Sequence, residues 1–306
     1  MKKTVPVALF VYNRPEHTLR TLTSLCNNDM AMASDIYIFC DGPKKKEHIE
    51  AVSEVRRIVK NSDYAKAFRH IEIIESDKNR GLSASIINGV SELIDKFGAI
   101  IVLEDDLILS TKFLTYMNHA LEYYKSDDRM WSVSGYTNLM PSLENYDEEV
   151  FFSPRSTSWG WGTWRDRWDT IDWEVTDYQS FKWQLKRRRS FNQGGADLSS
   201  MLDRQMNGKI NSWAIRWCYN QFKQGKLSVY PTQTLVNNIG QDGSGTHCKN
   251  EIASGGISEM DDWRLIPPKL DREILKDIKQ VKKIKTYKVI GNFIINVIFG
   301  ELKRKK

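Results

Sequence analysis

The chain has 306 residues, of which 41% are hydrophobic and 27% charged, and its formal net charge is +6. These values are ordinary for one large α/β domain, with or without an appendage. The charge excess is too small to indicate nucleic-acid binding without a matching motif, and the apolar runs are too short for a transmembrane helix. The four cysteines lack metal-ligand spacing, which favours reduced thiols in a cytoplasmic protein.

The first hundred residues alternate between strand and helix patterns. Near-continuous apolar runs predict strands at residues 5–12, 36–40, 71–74 and 99–103. Helical periodicity predicts helices from Pro15, through residues 52–59 and at 83–97. We interpret residues 5–12 as a first strand rather than a signal peptide. This alternation predicts an α/β fold with a mostly parallel central sheet and helices on both faces, whose ligands bind beyond the carboxyl ends of the strands.

The pattern changes after residue 130. Nine of the ten tryptophans lie between Trp131 and Trp217, where regular periodicity is weak. A strand and a Gly/Ser/Trp loop are predicted at residues 151–164, a helix at 212–222 and a strand at 227–231. Residues 237–247 form a glycine-rich polar loop, and residues 276–306 have a basic, helical pattern.

Three consecutive carboxylates, Glu104-Asp105-Asp106, follow the fourth predicted strand. They repel one another and cannot be buried without partners. One interpretation is a solvated strand end that caps the next helix, and the other is a site for Mg²⁺ or Mn²⁺, which prefer oxygen ligands. Because neighbouring side chains on a strand end project to opposite sides, at most two of the three should touch the metal, and Asp106 is the first candidate.

Polar residues also follow the first two predicted strands and precede the third helix. Asp41 could accept hydrogen bonds from a base or a ribose, although Asp-Gly-Pro is also a turn sequence. Arg14 and the Asn79-Arg80-Gly81 segment put cations near helix starts, where anions are favoured, and Gly81 would allow a ligand to approach the backbone.

The order of these motifs, at residues 10–15, 40–42, 79–81 and 102–106, resembles the GT-A-fold glycosyltransferases. The resemblance covers about residues 4–250 and is closest to bacterial family 2-type sugar transferases and to the N-acetylglucosaminyltransferase I type, whose metal motif is also Glu-Asp-Asp. It implies a catalytic domain at residues 1–250, with a nucleotide half to about residue 110 and an acceptor half to about residue 250. Residues 251–306 would then be a linker and a basic amphipathic C-terminal helix.

The resemblance also implies a function and a set of site residues. A sugar would be moved from a nucleotide-diphosphate sugar, most simply a UDP-sugar, to a glycan or lipid-linked acceptor, with inversion at the anomeric carbon and with Mn²⁺ or Mg²⁺. The implied metal ligands are Asp106 and His247. The implied nucleotide-sugar-binding residues are Phe10, Tyr12, Arg14, Asp41, Asn79, Arg80, Gly81, Ser85, Glu104 and Asp105.

The acceptor side and the catalytic base rest on fewer observations. Trp159 and Trp161 could stack on sugar rings, and Trp164 is expected to be structural. In the inverting relatives a carboxylate deprotonates the acceptor, but its aligned position, at residues 213–216, contains no acid. Asp242 and Asp166 are the nearest candidates for the base.

Two other functions stay open at this point. A sugar-phosphate nucleotidyltransferase would share the fold, but that class has a glycine-rich loop after the first strand, and residues 13–16 contain no glycine. A non-catalytic carbohydrate-binding or scaffold protein would explain the missing base.

The C-terminal segment predicts a location for the protein. Residues 289–299 are mostly apolar, too few to span a bilayer, and lysines flank them on both sides. They form either a helix docked on the catalytic domain or an interfacial helix on an anionic membrane surface. We favour the second, which predicts a cytoplasmic protein held peripherally at the inner leaflet.

Overall fold

The alternating segments of the first hundred residues fold into four parallel strands connected by helices. The computed structural model describes residues 4–240 and 257–281. The strands in this part of the chain are β1 (Val7–Val11), β2 (Asp35–Cys40), β3 (His70–Glu75), β4 (Ala99–Glu104), β5 (Leu107–Leu109), β6 (Met130–Ser134), β7 (Val150–Ser153), β8 (Trp161–Trp164), β9 (Leu227–Pro231) and β10 (Val236–Asn238). The α-helices are α1 (Pro15–Cys26), α2 (Ile49–Val59), α3 (Ser62–Ala67), α4 (Leu82–Phe97), α5 (Phe113–Tyr124), α6 (Arg165–Trp168), α7 (Tyr178–Trp183), α8 (Leu185–Phe191), α9 (Leu198–Met206), α10 (Trp213–Lys223) and α11 (Arg272–Val281).

Eight strands form one sheet in the order β3-β2-β1-β4-β8-β6-β9-β7, and β10 pairs with β5 in a separate antiparallel ribbon. The β3-β2-β1-β4 half is parallel throughout, whereas β8 runs antiparallel to both β4 and β6. The predicted architecture, a mostly parallel central sheet with helices on both faces, is confirmed.

Different helices cover the two faces of the sheet. Leu9 of β1 is buried in one layer with Leu22 of α1, and its neighbour Ala8 is buried in the opposite layer with Ile86 of α4. Because successive strand residues point to opposite faces, burial on both sides requires the continuous apolar runs seen in the sequence.

The tryptophan-rich region forms much of the second layer. Trp131, Trp161, Trp168, Trp213 and Trp217 belong to one buried cluster on the α4 face of the sheet. The Trp161 and Trp217 ring centroids lie 4.2 Å apart. Most of these tryptophans therefore stabilise the fold by burying large apolar surfaces.

The described C-terminal helix, α11, begins at Arg272, four residues before the predicted start. Ile274 and Ile278 are buried against a cluster that contains Met140, Phe151 and Tyr230. The predicted interfacial segment, residues 289–299, lies outside the described residues. None of the helices in residues 4–240 and 257–281 is long and apolar enough to cross a membrane.

Candidate active site

The turns after β1, β2 and β4 lie side by side at one edge of the sheet. Val11 of β1 pairs with Cys40 of β2, and Phe10 pairs with Glu104 of β4. Residues 12–14, 41–43 and 104–106 follow these ends directly. The predicted convergence of the polar motifs is therefore present, at the edge where open α/β sheets bind ligands.

Arg14 connects two of the three consecutive carboxylates. Its Nη2 contacts Oδ1 of Asp105 and lies 3.0 Å from Oδ2 of Asp106, and the Tyr12 N–H donates to Asp105 at 3.3 Å. Burial alone would lower the pKa of Arg14, but Asp105 and Asp106 together raise it above its ordinary value. Burial raises the pKa of Asp105, and the Arg14 charge opposes that rise. The guanidinium thus holds two carboxylates close together at the end of β4.

Glu104 differs from its two neighbours. It is the last residue of β4, and among the described residues no hydrogen-bond donor contacts its carboxylate. Burial, followed by the charges of Asp106 and Asp105, raises the pKa of Glu104 well above its usual range. Burial and the neighbouring negative charges thus disfavour the charged form of Glu104.

The backbone around Asp105 and Asp106 is fixed from two directions. The Thr21 hydroxyl donates to the Asp105 carbonyl at 2.9 Å, and Ile239 N–H donates to the Asp106 carbonyl at 2.8 Å. A Cβ on Gly240 would overlap Oδ2 of Asp106 and lie 2.9 Å from Nη1 of Arg14. Sequence reasoning missed Thr21 and Gly240, although Gly240 belongs to the predicted glycine-rich loop.

Asp41 holds the turn after β2 to the loop before α4. Its Oδ1 accepts the N–H groups of Gly42 at 2.9 Å and Arg80 at 2.8 Å. Its Oδ2 accepts the Gly81 N–H at 2.9 Å and the Asn79 side-chain amide at 3.0 Å. A carboxylate offers about four acceptor positions, and these four donors occupy them. The predicted contact of Asp41 with a base or a ribose would require a donor to be displaced.

The Tyr12 side chain is positioned by the loop after β2. Its hydroxyl lies 2.6 Å from Nδ1 of His48 and accepts the Lys44 N–H at 2.9 Å. The Tyr12 and His48 rings meet edge to face, with centroids 5.6 Å apart. No motif pointed to His48, because its contact with Tyr12 exists only after β1 and β2 pair.

The N-terminal end of α4 lies at the same edge of the sheet. Gly81 has a φ of +77°, which favours glycine, and its carbonyl accepts the Ser85 N–H at 3.0 Å. The Arg80 side chain is exposed, and its Nε donates a hydrogen bond to Ser76 Oγ at 3.2 Å. Arg80, Gly81 and Ser85 are thus placed where helix N–H groups favour an anion.

A cation that sequence reasoning did not assign also reaches this helix end. Arg216 of α10 donates from Nη2 to Ser83 Oγ at 2.8 Å and from Nη1 to the Trp173 carbonyl at 3.1 Å. Burial lowers the pKa of Arg216. The region in which a catalytic carboxylate was sought therefore supplies a cation beside α4.

Two residues predicted to contact substrate lie in the core. Phe10 is 4% exposed and stacks on Phe39 with a centroid distance of 4.9 Å, and Trp161 is fully buried in the tryptophan cluster. Neither ring can lie against a ligand while packed in this way, so both predictions were wrong. Trp164, expected to be structural, is buried, and its indole N–H donates to the Leu121 carbonyl at 3.0 Å.

A cavity of about 440 Å³ opens beside Trp159 in the second half of the chain. The Trp159 ring meets Tyr136 edge to face at 4.5 Å, and both residues line the cavity. Gly160, which follows Trp159, packs closely against β10, because a Cβ there would lie 2.9 Å from Val236. Trp159, unlike the fully buried Trp161, thus lines a cavity, and its predicted contact with a sugar stays a prediction.

A comparison of the sequence with known families decides the class of protein. The family model described as Glycosyl transferase family 2 matches residues 7–195. The chain belongs to this family. No curated protein matches the chain.

Several solved structures are similar to the enzyme. One is the mannosyltransferase PcManGT from Pyrobaculum calidifontis in complex with GDP-Man and Mn²⁺. The two sequences are 13% identical, and the match covers 53% of this chain and 44% of that chain with a TM-score of 0.38. S. aureus TarS 1–349 matches at 10% identity, 78% of this chain, 61% of that chain and a TM-score of 0.42. The galactosyltransferase LgtC, in complex with donor and acceptor sugar analogs, matches at 10% identity, 74% of this chain, 73% of that chain and a TM-score of 0.38.

Family membership indicates a glycosyltransferase. It favours glycosyl transfer over the two other functions that the sequence left open, nucleotidyl transfer and non-catalytic sugar binding. The residues that hold the donor are then sought at the edge formed by Tyr12, Arg14 and residues 104–106.

Asp166 does not lie at that edge of the glycosyltransferase. β8 runs antiparallel to β4, and its last residue, Trp164, pairs with Ala99 at the start of β4. Asp166 follows two residues later, so it lies near the opposite end of β4 from Asp106. The prediction of Asp166 as a base was wrong, because the sequence does not reveal the direction of β8. The other candidate, Asp242, and the predicted metal ligand His247 lie outside the described residues.

The described residues can be tested for a metal site. In residues 4–240 and 257–281, no three histidine, cysteine or carboxylate side chains form a metal-binding group. A Mg²⁺ ion bound with a nucleotide needs fewer, since it is typically held by one or two carboxylates, substrate phosphates and water. Asp106 suits this mode, because it lies just beyond the carboxyl end of β4 and its carboxylate is held in place by Arg14, whose Nη2 lies 3.0 Å from Oδ2.

Proposed function

We propose that this enzyme transfers a sugar from a UDP-sugar to a glycan or lipid-linked glycan, with inversion and with Mn²⁺ or Mg²⁺. The observation that carries the proposal is the carboxylate pair Asp105 and Asp106, held by Arg14 beyond the carboxyl end of β4. UDP as the donor nucleotide, and the kinship with the N-acetylglucosaminyltransferase I type, rest on the order of the motifs and the Glu-Asp-Asp sequence.

Asp106 would hold the metal, with His247 as a second ligand. When bound, the cation neutralises charge that develops on the departing nucleoside diphosphate. Arg14 neutralises part of the charge of Asp105, which reduces the repulsion between these carboxylates and the diphosphate. Arg80 and the N–H groups that begin α4 would supply further positive potential to the phosphates.

The nucleoside would lie over Tyr12 and the turn that Asp41 organises. Tyr12 is held in place by His48 and Lys44, so its ring can form a fixed wall beside the base. A rigid wall lowers the entropy lost on binding, because the side chain is already ordered in the free enzyme. Asp41 would support binding indirectly, by holding residues 79–81 in place. The alternative is that its carboxylate contacts the nucleoside directly.

The acceptor would enter the cavity beside Trp159 and Tyr136. An aromatic face suits the C–H face of a sugar ring, and indole N–H groups suit hydroxyls. Asp242 would take the proton from the acceptor hydroxyl. This assignment is supported by its position in the sequence two residues after Gly240, where a Cβ would overlap the Asp106 carboxylate.

We propose the same division of the chain that the sequence suggested. Residues 1–110 form the nucleotide half and residues 111–250 the acceptor half of the catalytic domain, and residues 251–306 form a linker and a basic C-terminal helix. A cytoplasmic protein held at the inner leaflet would meet lipid-linked acceptors directly. This location is supported by the lysines on both sides of residues 289–299.

The proposal is tested by incubating the full chain with a panel of nucleotide sugars and measuring the released nucleoside diphosphate. With Mn²⁺ we expect slow hydrolysis of a UDP-sugar without an acceptor and faster release once a suitable glycan is present. A preference for GDP- or dTDP-sugars would contradict the donor assignment. Equal activity in a chelator would contradict the metal.

A further inference from the structure

The corner between α7 and α8 exposes two large apolar side chains. Trp183, the last residue of α7, is 75% exposed, and Leu185, the first residue of α8, is 70% exposed. Among the described residues, no other two exposed large apolar side chains lie so close along the chain. Single exposed apolar residues are ordinary, whereas an adjoining pair indicates an interaction surface.

The packing of α7 fixes this exposure. Phe181 is fully buried, and its ring centroid lies 4.8 Å from Tyr219 and 5.8 Å from Phe191. At about 100° per residue, Trp183 is roughly 200° around the helix from Phe181. Burial of Phe181 therefore directs Trp183 into solvent, and the exposed pair is a fixed part of the fold.

The same corner is basic. Residues 178–196 contain no Asp or Glu, and they contain five basic residues, which are Lys182, Lys186, Arg187, Arg188 and Arg189. Two of these have acidic partners from outside the segment: Arg188 forms a 2.7 Å ion pair with Asp203, and Arg187 lies 3.7 Å from Asp177. These two pairs attach the corner to α9 and to the chain before α7.

Three cations of the corner remain without an ion pair in the part of the chain that the structure describes. Lys186 and Arg189 are exposed, and the Lys182 ammonium lies 5.0 Å from the centroid of the Trp183 ring. A surface with unpaired cations around an exposed tryptophan and leucine is attracted to an anionic bilayer in two ways. The apolar side chains enter the interfacial region, and the cations meet the headgroups.

We propose that this basic corner, residues 182–189, docks on the surface of an anionic lipid bilayer. A second copy of the chain is a poor occupant, because a two-fold contact would place the same unpaired cations opposite each other. Tryptophan is enriched at membrane interfaces, and each lysine or arginine near an anionic surface strengthens binding by roughly fivefold. The corner supplies both without any contribution from residues 282–306.

The corner is joined to the cavity by a short stretch of chain. After α8, the turn at Asn192–Gly194 packs against α11 and against Arg155, since a Cβ on Gly194 would lie 3.1 Å from Arg155 Cβ. Arg155 lines the cavity beside Trp159. Docking would therefore bring the cavity close to the bilayer, which suits a lipid-linked acceptor if the proposed function holds. The docking itself does not depend on that function.

The test is co-sedimentation of the full chain with vesicles of phosphatidylcholine, with and without phosphatidylglycerol. Lys186→Glu/Arg189→Glu should weaken binding to the anionic vesicles by at least about 25-fold, because losing each of the two cations costs roughly fivefold and the new carboxylates add repulsion. Trp183→Ser/Leu185→Ser should weaken it by about tenfold, because binding scales with buried apolar area. The matched controls are Lys66→Glu/Lys125→Glu, the same charge change at exposed sites elsewhere, and Met32→Ser, a residue that is 79% exposed.

The corner is the docking surface if both corner variants lose binding while the controls bind like the wild type. Wild-type chain that ignores anionic vesicles, or corner variants that bind as well as the controls, would overturn the inference. Corner variants that lose only heparin binding or only dimerisation would also overturn it, in favour of a polyanion or a second copy. Nucleotide release from the donor, measured without vesicles, reports the proposed function separately and should not change in the corner variants.

Discussion

Replacing Asp41 by alanine separates a structural role of its carboxylate from a role in nucleoside binding. The structure assigns all four acceptor positions of Asp41 to donors of the chain itself, on Gly42, Asn79, Arg80 and Gly81. Alanine removes all four hydrogen bonds. The turn after β2 and the loop before α4 then lose their direct connection through this side chain.

The expected cost follows from these bonds. A hydrogen bond contributes about 1 kcal/mol net, and more when one partner is charged, so four predict a loss of about 4 kcal/mol in the free energy of unfolding. Asparagine at this position keeps one carbonyl oxygen but turns an amide N–H₂ toward Asn79 and Gly81. We therefore expect Asp41→Asn to lower the free energy of unfolding by about 2 kcal/mol.

Urea unfolding followed by tryptophan fluorescence measures these losses, and Asp77→Ala, at an exposed aspartate of the neighbouring loop, is the control. UDP and uridine affinities should both fall in Asp41→Ala, because the loop that shapes the site is released. An Asp41→Ala protein as stable as the control that nevertheless loses uridine would refute the structural role. It would show instead that Asp41 contacts the nucleoside directly.

Three other variants test the site and the core. Gly240→Ala should weaken Mn²⁺-dependent UDP binding at least about tenfold, measured by calorimetry, because its Cβ would overlap the Asp106 carboxylate. Arg14→Ala should lower the free energy of unfolding in urea by about 3 kcal/mol, because two carboxylates lose their cation. Mn²⁺ should restore part of that loss. Trp161→Ala should lower the free energy of unfolding by about 4 kcal/mol, whereas Trp159→Ala, at a half-buried residue, should lower it less and should raise the acceptor KM. Gly240→Ala with normal affinity, Arg14→Ala insensitive to Mn²⁺, or Trp161→Ala as stable as Trp159→Ala would each contradict the corresponding assignment.

The first half of the fold could be predicted because its signals are local. Each of β1 to β4 is a continuous apolar run, and the sheet is covered on both faces, so the runs and their order indicated a parallel sheet. The carboxyl ends of such strands share one edge, so the sequence alone predicts that residues 12–14, 41–43 and 104–106 lie together.

The errors arose where a role depends on long-range pairing. Residues 161–164 resembled a loop because Gly162 interrupts them, yet Gly162 allows β8 to approach β4, since a Cβ there would lie 2.8 Å from the Ile100 carbonyl oxygen. This pairing buries Trp161 and directs Asp166 away from the carboxylates. Phe10 was misassigned for a related reason, because proximity to a motif does not reveal which face of a strand a side chain occupies.

The metal site at Asp106 is tested most directly by calorimetric titration of UDP with and without Mn²⁺, in the wild type and in Asp106→Ala. The account predicts Mn²⁺-dependent binding by the wild type and its loss in the variant, with the fold intact by circular dichroism. A folded Asp106→Ala protein that binds UDP with Mn²⁺ as tightly as the wild type would contradict the assignment of these carboxylates to the nucleotide and its metal.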